Sequence, residues 1–528
     1  MKRNFKSIAI QIAIPVIIFL FALFLRLYFF TGFILGDDIE EFQAFQYIMT
    51  NGPSLHAALH IRFGLWLFPV LSFELLGVSE FSFFLPTLLM SSSFALLGYF
   101  LLNFWKYPRY QAFLAALFIA SAPFEILIGV IHANDLIFSW VLALAFFFFI
   151  IFEKKPLIQG VLVAFLLWFA FYTKIWVVYL FPVLAIYYLY QFVKHRKWKG
   201  FASFFIFSLF LHEITSIVWK FTSGTFIPFV YYTSATYPVP KETVPWLLQV
   251  YPKMILYGSE FGTTLFGIIP YLLFALLVVK AILSAPKFRK TKLDKFDVYL
   301  FVFYASFFLL LNYFPTTFKF DQYYSASRIF RYLAPISFPM TLHVAKLILD
   351  LSKIKIRSKR IGVLRNIVIG NYPLVFLFVL LICVNIYQAD NATKPGQIYN
   401  ATLLSIVKDI REQSPPKLLS ESWLSFFLRE IYLKDTNTSI ISPNYTIDDA
   451  KKYEKWIQGI QPDLAEGSMM ISGIGNYVHY GCHNCGIRLR QFNDSLDPGW
   501  KLFKEYQNQS YLLVPEPARL WMWLPSSK

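Results

Sequence analysis

The sequence predicts a polytopic α-helical membrane protein with a C-terminal extracytoplasmic α/β domain. Three observations lead there. Of 528 residues, 57% are apolar, only 15% are charged and 60 are Phe, and the mean hydropathy is +0.53, far from the balance of soluble domains. Apolar stretches of about 20 residues, each long enough to cross ~30 Å of hydrocarbon, recur from Ile8 to Tyr387. Beyond Tyr387 the composition turns mixed and no spanning stretch follows. Cytosolic, fibrous, disordered and disulfide-dense secreted classes are excluded.

The net charge of +17 is placed by topology. Lys and Arg gather in short loops between apolar runs: Lys2, Arg3 and Lys6; Lys106 and Arg109; Lys154 and Lys155; Lys194 to Lys199; Lys287 to Lys295; Lys353 to Arg365. This is the positive-inside signature, and basic loops of this kind also meet anionic headgroups. They argue for a lipid bilayer and against a nucleic-acid partner. With these loops in the cytoplasm, eleven spans follow, near 8–30, 82–103, 110–130, 136–152, 157–172, 175–193, 201–220, 262–284, 297–314, 332–352 and 367–388. The N-terminal run has no small-x-small cleavage site and reads as an uncleaved first span closed by Arg26. The expected arrangement is a multi-pass protein of the cell or inner membrane, N-terminus cytoplasmic, with residues 1–388 in the membrane domain and 389–528 outside.

In the tail, Leu403, Val407 and Ile410 at i, i+4, i+7 predict an amphipathic helix, and Trp423 to Tyr432 a second. Met469–Ile471 and Tyr511–Val514 read as strands. Six N-x-S/T sequences fall here, at Asn391, Asn400, Asn437, Asn444, Asn493 and Asn508. Cys383 is expected buried in the last span. Cys482 and Cys485 form a C-x-x-C beside His479 and His483. An outward compartment favours a disulfide there; zinc would draw on the two histidines, although a second C-x-x-C is missing, and a pair of free thiols is the third reading.

The chemistry-bearing residues lie at outer span ends. Asp37, Asp38, Glu40 and Glu41 follow the first span. Carboxylates at a membrane boundary are costly to desolvate and are functional when they face a cavity; a helix cap accounts for one of them. The same face carries His60 and Arg62, His132 and Asp135, Lys174, Arg328 and Arg331. A carboxylate can take a proton from a hydroxyl, and Arg or Lys can hold a phosphate. His56 and His60, at i, i+4, would also suit a divalent cation together with the acids, although the sequence requires no cofactor.

At these residues the chain resembles the GT-C glycosyltransferases, most nearly the protein O-mannosyltransferase and lipid A aminoarabinose transferase branch. Asp37-Asp38 looks like the acidic pair of that family's first outer loop. Leu76-Gly77-Val78-Ser79-Glu80 with Phe84-Leu85-Pro86-Thr87, Ser121-Ala122-Pro123 before Asp135, Thr173-Lys174, and Arg331-Tyr332-Leu333-Ala334-Pro335-Ile336 resemble further phrases in the same order. The likeness covers residues 1–195 and one later motif. Three positions depart from it: Glu40 stands where the family has Arg, Ile175 where it has Gly, and Phe63-Gly64 where it has two prolines.

The resemblance implies inverting transfer of a sugar from a polyprenyl-phosphate (dolichyl-phosphate-type) donor to a hydroxyl on a protein, lipid or glycan. Asp37 would be the base, Asp38 its partner or substitute, and Asp135 a shaper of the pocket. Arg62, Lys174 and Arg331 would bind the donor phosphate, with Glu40, His60 and His132 as further pocket residues. A transporter or flippase of a lipid-linked substrate, or a non-catalytic assembly subunit, are the readings that compete.

Overall fold

The structure, a computed structural model, describes residues 2–33, 37–53, 58–131, 134–223, 237–239, 244–257, 265–284, 294–313, 323–325, 330–353, 371–420, 424–425, 428–442, 456, 458–472, 499–506 and 518–524. Its helices are α1 (Lys2–Tyr28), α2 (Asp37–Asn51), α3 (Ala58–Ile61), α4 (Phe63–Leu76), α5 (Glu80–Phe104), α6 (Arg109–Ala120), α7 (Pro123–Val130), α8 (Asn134–Ile151), α9 (Pro156–Phe171), α10 (Phe181–His195), α11 (Trp198–Ser223), α12 (Val244–Tyr257), α13 (Ile269–Ser284), α14 (Lys295–Tyr313), α15 (Ala334–Ser352) and α16 (Asn371–Gln413). The strands are β1 (Tyr237–Val239), β2 (Tyr323–Ser325), β3 (Lys417–Leu419), β4 (Ser439–Ile441), β5 (Met469–Ser472), β6 (Trp500–Tyr506) and β7 (Ala518–Trp523).

Among the described residues, seven helices are long and apolar enough to cross a membrane, or eight if the pair α6–α7, bent by 54°, is one span. The other three expected spans fall on shorter apolar helices, Asp135–Ile151, Pro156–Phe171 and Ile269–Ser284. A further short one, Phe63–Leu76, lies where the sequence predicts an outer loop. Proline opens α7, α9, α10 and α15 at the first or second position, where its missing N–H costs no helical bond.

The chain packs as two units, one of Met1–Phe29, Ile48–Ser72 and Phe84–Ala392, the other of Phe30–Tyr47, Phe73–Phe83 and Thr393–Lys528. The centre of the first is α15, whose residues from Ala334 to Leu349 are all buried. Arg26 stabilises the α6–α7 bend. Its side chain is fully buried, donating to the Ala120 carbonyl and, through Nε at 3.0 Å, to Ser91 Oγ. Ser91 Oγ in turn donates to the Glu125 carbonyl at 2.8 Å. A broken helix leaves the carbonyls of its last turn without intrahelical donors; Arg26 supplies one to Ala120 at the end of α6, and Ser91 ties Arg26 to the first turn of α7. Arg26 is therefore an internal bridge rather than an interfacial end to α1. Cys383, expected buried, lies exposed on α16.

In the second unit, β4-β3-β5-β7-β6 form one mixed sheet. β3 pairs parallel to β4 and β5, whereas β7 pairs antiparallel to β5 and β6. Its core is Leu419, Met470, Trp500 and Trp523. The Met469–Ile471 strand is found as β5, while Tyr511–Val514 lies outside the described residues. Leu403, Val407 and Ile410 are buried as expected of an amphipathic face, but they belong to α16, 43 residues long. Of the second predicted helix, the described residues are Leu424 and Ser425, both helical, and a single turn at Leu428–Tyr432.

Phe33, Phe42, Phe73 and Phe83 pack edge-on and tilted with centroids 5.3 to 5.6 Å apart, so the start of α2 shares a core with the start of α5. Gly32 has φ +68°, and a Cβ there would lie 2.3 Å from Asn400 Nδ2 and 2.7 Å from Glu80 Oε1. The Asn400 sequon is thus packed against this turn. Asn444, Asn493 and Asn508 lie outside the described residues.

Candidate active site

Asp135 is the hub of the site in the first unit. It stands in the first turn of α8, where a carboxylate is favoured by the helix dipole, and its side chain is only 1% exposed. Two cations reach it. Lys174 Nζ bonds Asp135 Oδ1, and Arg331 Nε lies 3.3 Å from Asp135 Oδ2.

The local sequence explains how each cation arrives. α9 ends at Phe171, and Thr173 Oγ1 donates to the Phe169 carbonyl at 3.0 Å. Lys174, in extended conformation at φ −157°, then precedes a single 3-10 turn, Ile175–Tyr179. Arg331 sits in another such turn, Phe330–Leu333, just before Pro335 opens α15. Its neighbour Tyr332 lies beneath Lys174, with Nζ 3.8 Å from the ring centroid. A cation over an aromatic face gains electrostatic attraction and is fixed in position.

Arg62 is drawn to the same turn by its flanking residues. Phe63 stacks on Tyr172 at 4.8 Å and packs against Trp168 at 5.1 Å. A Cβ on Gly64 would stand 2.8 Å from the Phe169 carbonyl oxygen and 3.0 Å from Thr173 N. Phe63-Gly64 thus fits the chain against the Lys174 turn, aromatic on one side and bare on the other. Gly64→Ala is expected to destabilise the protein by about 1–3 kcal/mol through overpacking, seen as a lower melting point in detergent; an unchanged melting point would reject the close approach.

Burial brings the Lys174 ammonium down to about 8, opposed by Asp135 and assisted by the charges of Arg331 and Arg62. Burial likewise lowers the His60 imidazole, keeping it neutral at pH 7. His60 itself is buried, and its carbonyl accepts the Trp66 indole N–H at 2.8 Å.

Asp135, Lys174, Arg331 and Arg62 are therefore brought together. In the second unit, Asp37 opens α2; Asp38 and Glu41 are buried and Glu40 is exposed. His132, His56, Arg328, Cys482 and Cys485 lie outside the described residues. Tyr332 and Gly64, which order this site, stand in the sequence only as members of the Arg331–Ile336 phrase and of the Phe63-Gly64 departure, with no role assigned to either.

Among the described residues, the acids close enough to share a metal ion are Asp294, Asp297 and Asp350, none of them expected from the sequence. Two lysines already occupy their centre. Lys280 Nζ lies 2.6 Å from Asp297 and 2.7 Å from Asp350, and Lys346 Nζ lies 2.8 to 2.9 Å from all three. The group is an ion-pair network, and a cation would have to displace both ammonium groups.

The architecture is a polytopic α-helical membrane fold with a C-terminal sheet domain. It is similar to the crystal structure of ArnT from Cupriavidus metallidurans in the apo state, at TM-score 0.53 and 11% identity over 98% of each chain. It is also similar to ArnT from the same organism bound to undecaprenyl phosphate, at TM-score 0.51 and 13% identity over 99% of this chain and 98% of the other. No family model and no curated protein matches the sequence.

Proposed function

We propose that the protein is an integral membrane glycosyltransferase that moves a sugar from a polyprenyl-phosphate-linked donor to a hydroxyl acceptor with inversion. The observation that carries this reading is the convergence of Lys174 and Arg331 on one buried carboxylate. The ArnT-like fold, one instance of which binds undecaprenyl phosphate, supports it.

Asp37 takes the acceptor O–H proton as the acceptor oxygen bonds to the anomeric carbon. The bond from that carbon to the phosphate oxygen breaks, and its electron pair leaves on the phosphate. Arg331, Lys174 and Arg62 stabilise that developing charge. Asp135 aligns two of these cations by binding both. Preorganised cations act on the transition state without reorganising, so a phosphate leaving group needs no general acid.

The test is release of polyprenyl phosphate from a panel of labelled polyprenyl-phosphate sugars, by purified protein in nanodiscs with host membrane extract as acceptor source. Arg331→Ala should weaken donor binding by about 10- to 150-fold, the worth of one hydrogen bond to a charged group. Unchanged donor affinity in both Arg331→Ala and Arg62→Ala rejects the phosphate assignment. Bound donor with no release across the panel favours transport or scaffolding instead.

The reaction should also carry an alkaline limb. Lys174 loses its proton as pH rises through about 8, so donor affinity falls there; the phosphodiester donor has no group titrating in that range. Lys174→Arg should move the limb to higher pH. Stability runs oppositely. The folded Lys174 holds its proton less tightly than the unfolded chain does, so the cost of burying its charge is full below about 8 and is relieved as pH climbs toward the ordinary lysine value of 10.5. A limb that persists unmoved in Lys174→Arg would assign it to another group.

A further inference from the structure

The first unit holds an apolar slot of about 240 Å³ between α8, α9, α10 and α14, independent of the proposed transfer site. Phe146 and Phe149 of α8, Leu167 of α9, Leu184 and Tyr187 of α10, and Val302 of α14 are among its walls. We propose that this slot binds one acyl chain of an anionic phospholipid, with the headgroup seated on the basic ends of the same helices.

The slot opens sideways. Its walls are buried on the α8 and α9 sides, whereas Val298 and Val302 of α14 are 50% and 41% exposed. In a spanning helix that exposed surface faces hydrocarbon. Apolar cavities do not recruit water, and each methylene buried contributes about 0.8 kcal/mol.

The two ends of the slot differ. Toward Asp135 it is closed: Phe138 packs on Phe307 at 6.2 Å and Tyr179 on Phe307 at 6.5 Å, all three buried. A donor held at Asp135 therefore does not continue into it. At the other end the Tyr299 hydroxyl donates to Glu153 Oε1 at 3.3 Å, and Lys295 Nζ pairs with Glu153 Oε2 at 2.5 Å. Lys154 and Lys155 follow directly, and Lys194, Arg196 and Lys197 close α10, all exposed. One acid among so many cations presents a field that selects an anionic headgroup over a zwitterionic one. The tyrosine hydroxyls at this end mark the boundary between chain and headgroup.

Native mass spectrometry of the full chain in detergent, titrated separately with phosphatidylglycerol and with phosphatidylcholine of identical chains, tests this. One phosphatidylglycerol should be retained at least ten times more tightly than phosphatidylcholine. Val302→Trp, which plugs the opening, should abolish retention, and Val298→Trp, one turn away, repeats the test should the first variant fold poorly. Lys154→Ala combined with Lys295→Ala should reduce phosphatidylglycerol to the phosphatidylcholine level. Equal retention of the two lipids, or retention undiminished in a folded tryptophan variant, overturns the proposal. Displacement of the bound lipid by polyprenyl phosphate, mole for mole, also overturns it and would make the slot a donor site.

Discussion

Asp37→Asn is expected to cut sugar transfer by about 10²- to 10⁴-fold, the usual contribution of a positioned general base, with expression and donor binding unchanged. The substitution removes basicity and little else. Asp37 opens α2, and Asn serves a helix N-terminus about as well as Asp, so the start of the helix should hold. The cations proposed to bind the phosphate come from other elements, Arg331 before α15 and Lys174 after α9, so donor affinity should survive. Asp38→Asn supplies the control. Asp38 is buried, and its loss should affect turnover less than that of Asp37 if Asp37 is the base. The reverse order would transfer the role to Asp38, and full activity in both variants would remove the base from this loop. Initial rates of polyprenyl-phosphate release, with donor affinity measured separately, distinguish these outcomes.

The parts of the site legible in the sequence are those whose charge stands alone at the end of an apolar run. Asp135, Lys174 and Arg331 each flank a span on one expected face, and charge is conspicuous against such flanks. Their alignment is not legible. Tyr332 is one of 32 tyrosines and Gly64 one of 23 glycines, and nothing local distinguishes a ring beneath an ammonium or a bare Cα against a carbonyl. The last helix escaped for a different reason. The composition turns mixed after Tyr387, so the expected last span ends at 388, yet α16 runs on through Pro395 to Gln413, with Leu403 and Ile410 buried along it. Tertiary burial there outweighs a weak local signal. The Lys280 and Lys346 network did leave a signal, ionisable residues inside apolar runs. It was hidden by the basic loops beside it, whose charges the positive-inside pattern already explains.

That network carries the largest expected effect on stability. Lys346→Met should destabilise the protein by about 3–5 kcal/mol, the cost of breaking a buried ion pair from one side. The Lys346 side chain is 1% exposed and its ammonium touches Asp294, Asp297 and Asp350. Without it, Lys280 is the one ammonium left in close contact with Asp297 and Asp350, with His343 3.4 Å from Asp297 and Lys353 3.9 Å from Asp350. The network also ties four parts of the chain together. Lys280 lies on α13, Asp297 on α14 and Asp350 on α15, and the Tyr107 hydroxyl before α6 bonds Asp350. Lys346→Met with Asp297→Asn should cost less than the sum of the two single variants, because the second change removes the charge the first leaves unanswered. Position separates this effect from chemistry. Lys346 follows Ala334, the first residue of α15, by twelve positions, about 18 Å at 1.5 Å per residue, and Arg331 precedes that start. Thermal melts in detergent should therefore shift strongly while donor affinity below the transition stays at the wild-type value. A melt within about 0.5 kcal/mol of wild type, typical of an unremarkable surface change, would show that the lysine is not bound as described. A donor affinity that fell together with the melt would couple the two ends of α15 and make the network part of the transfer site.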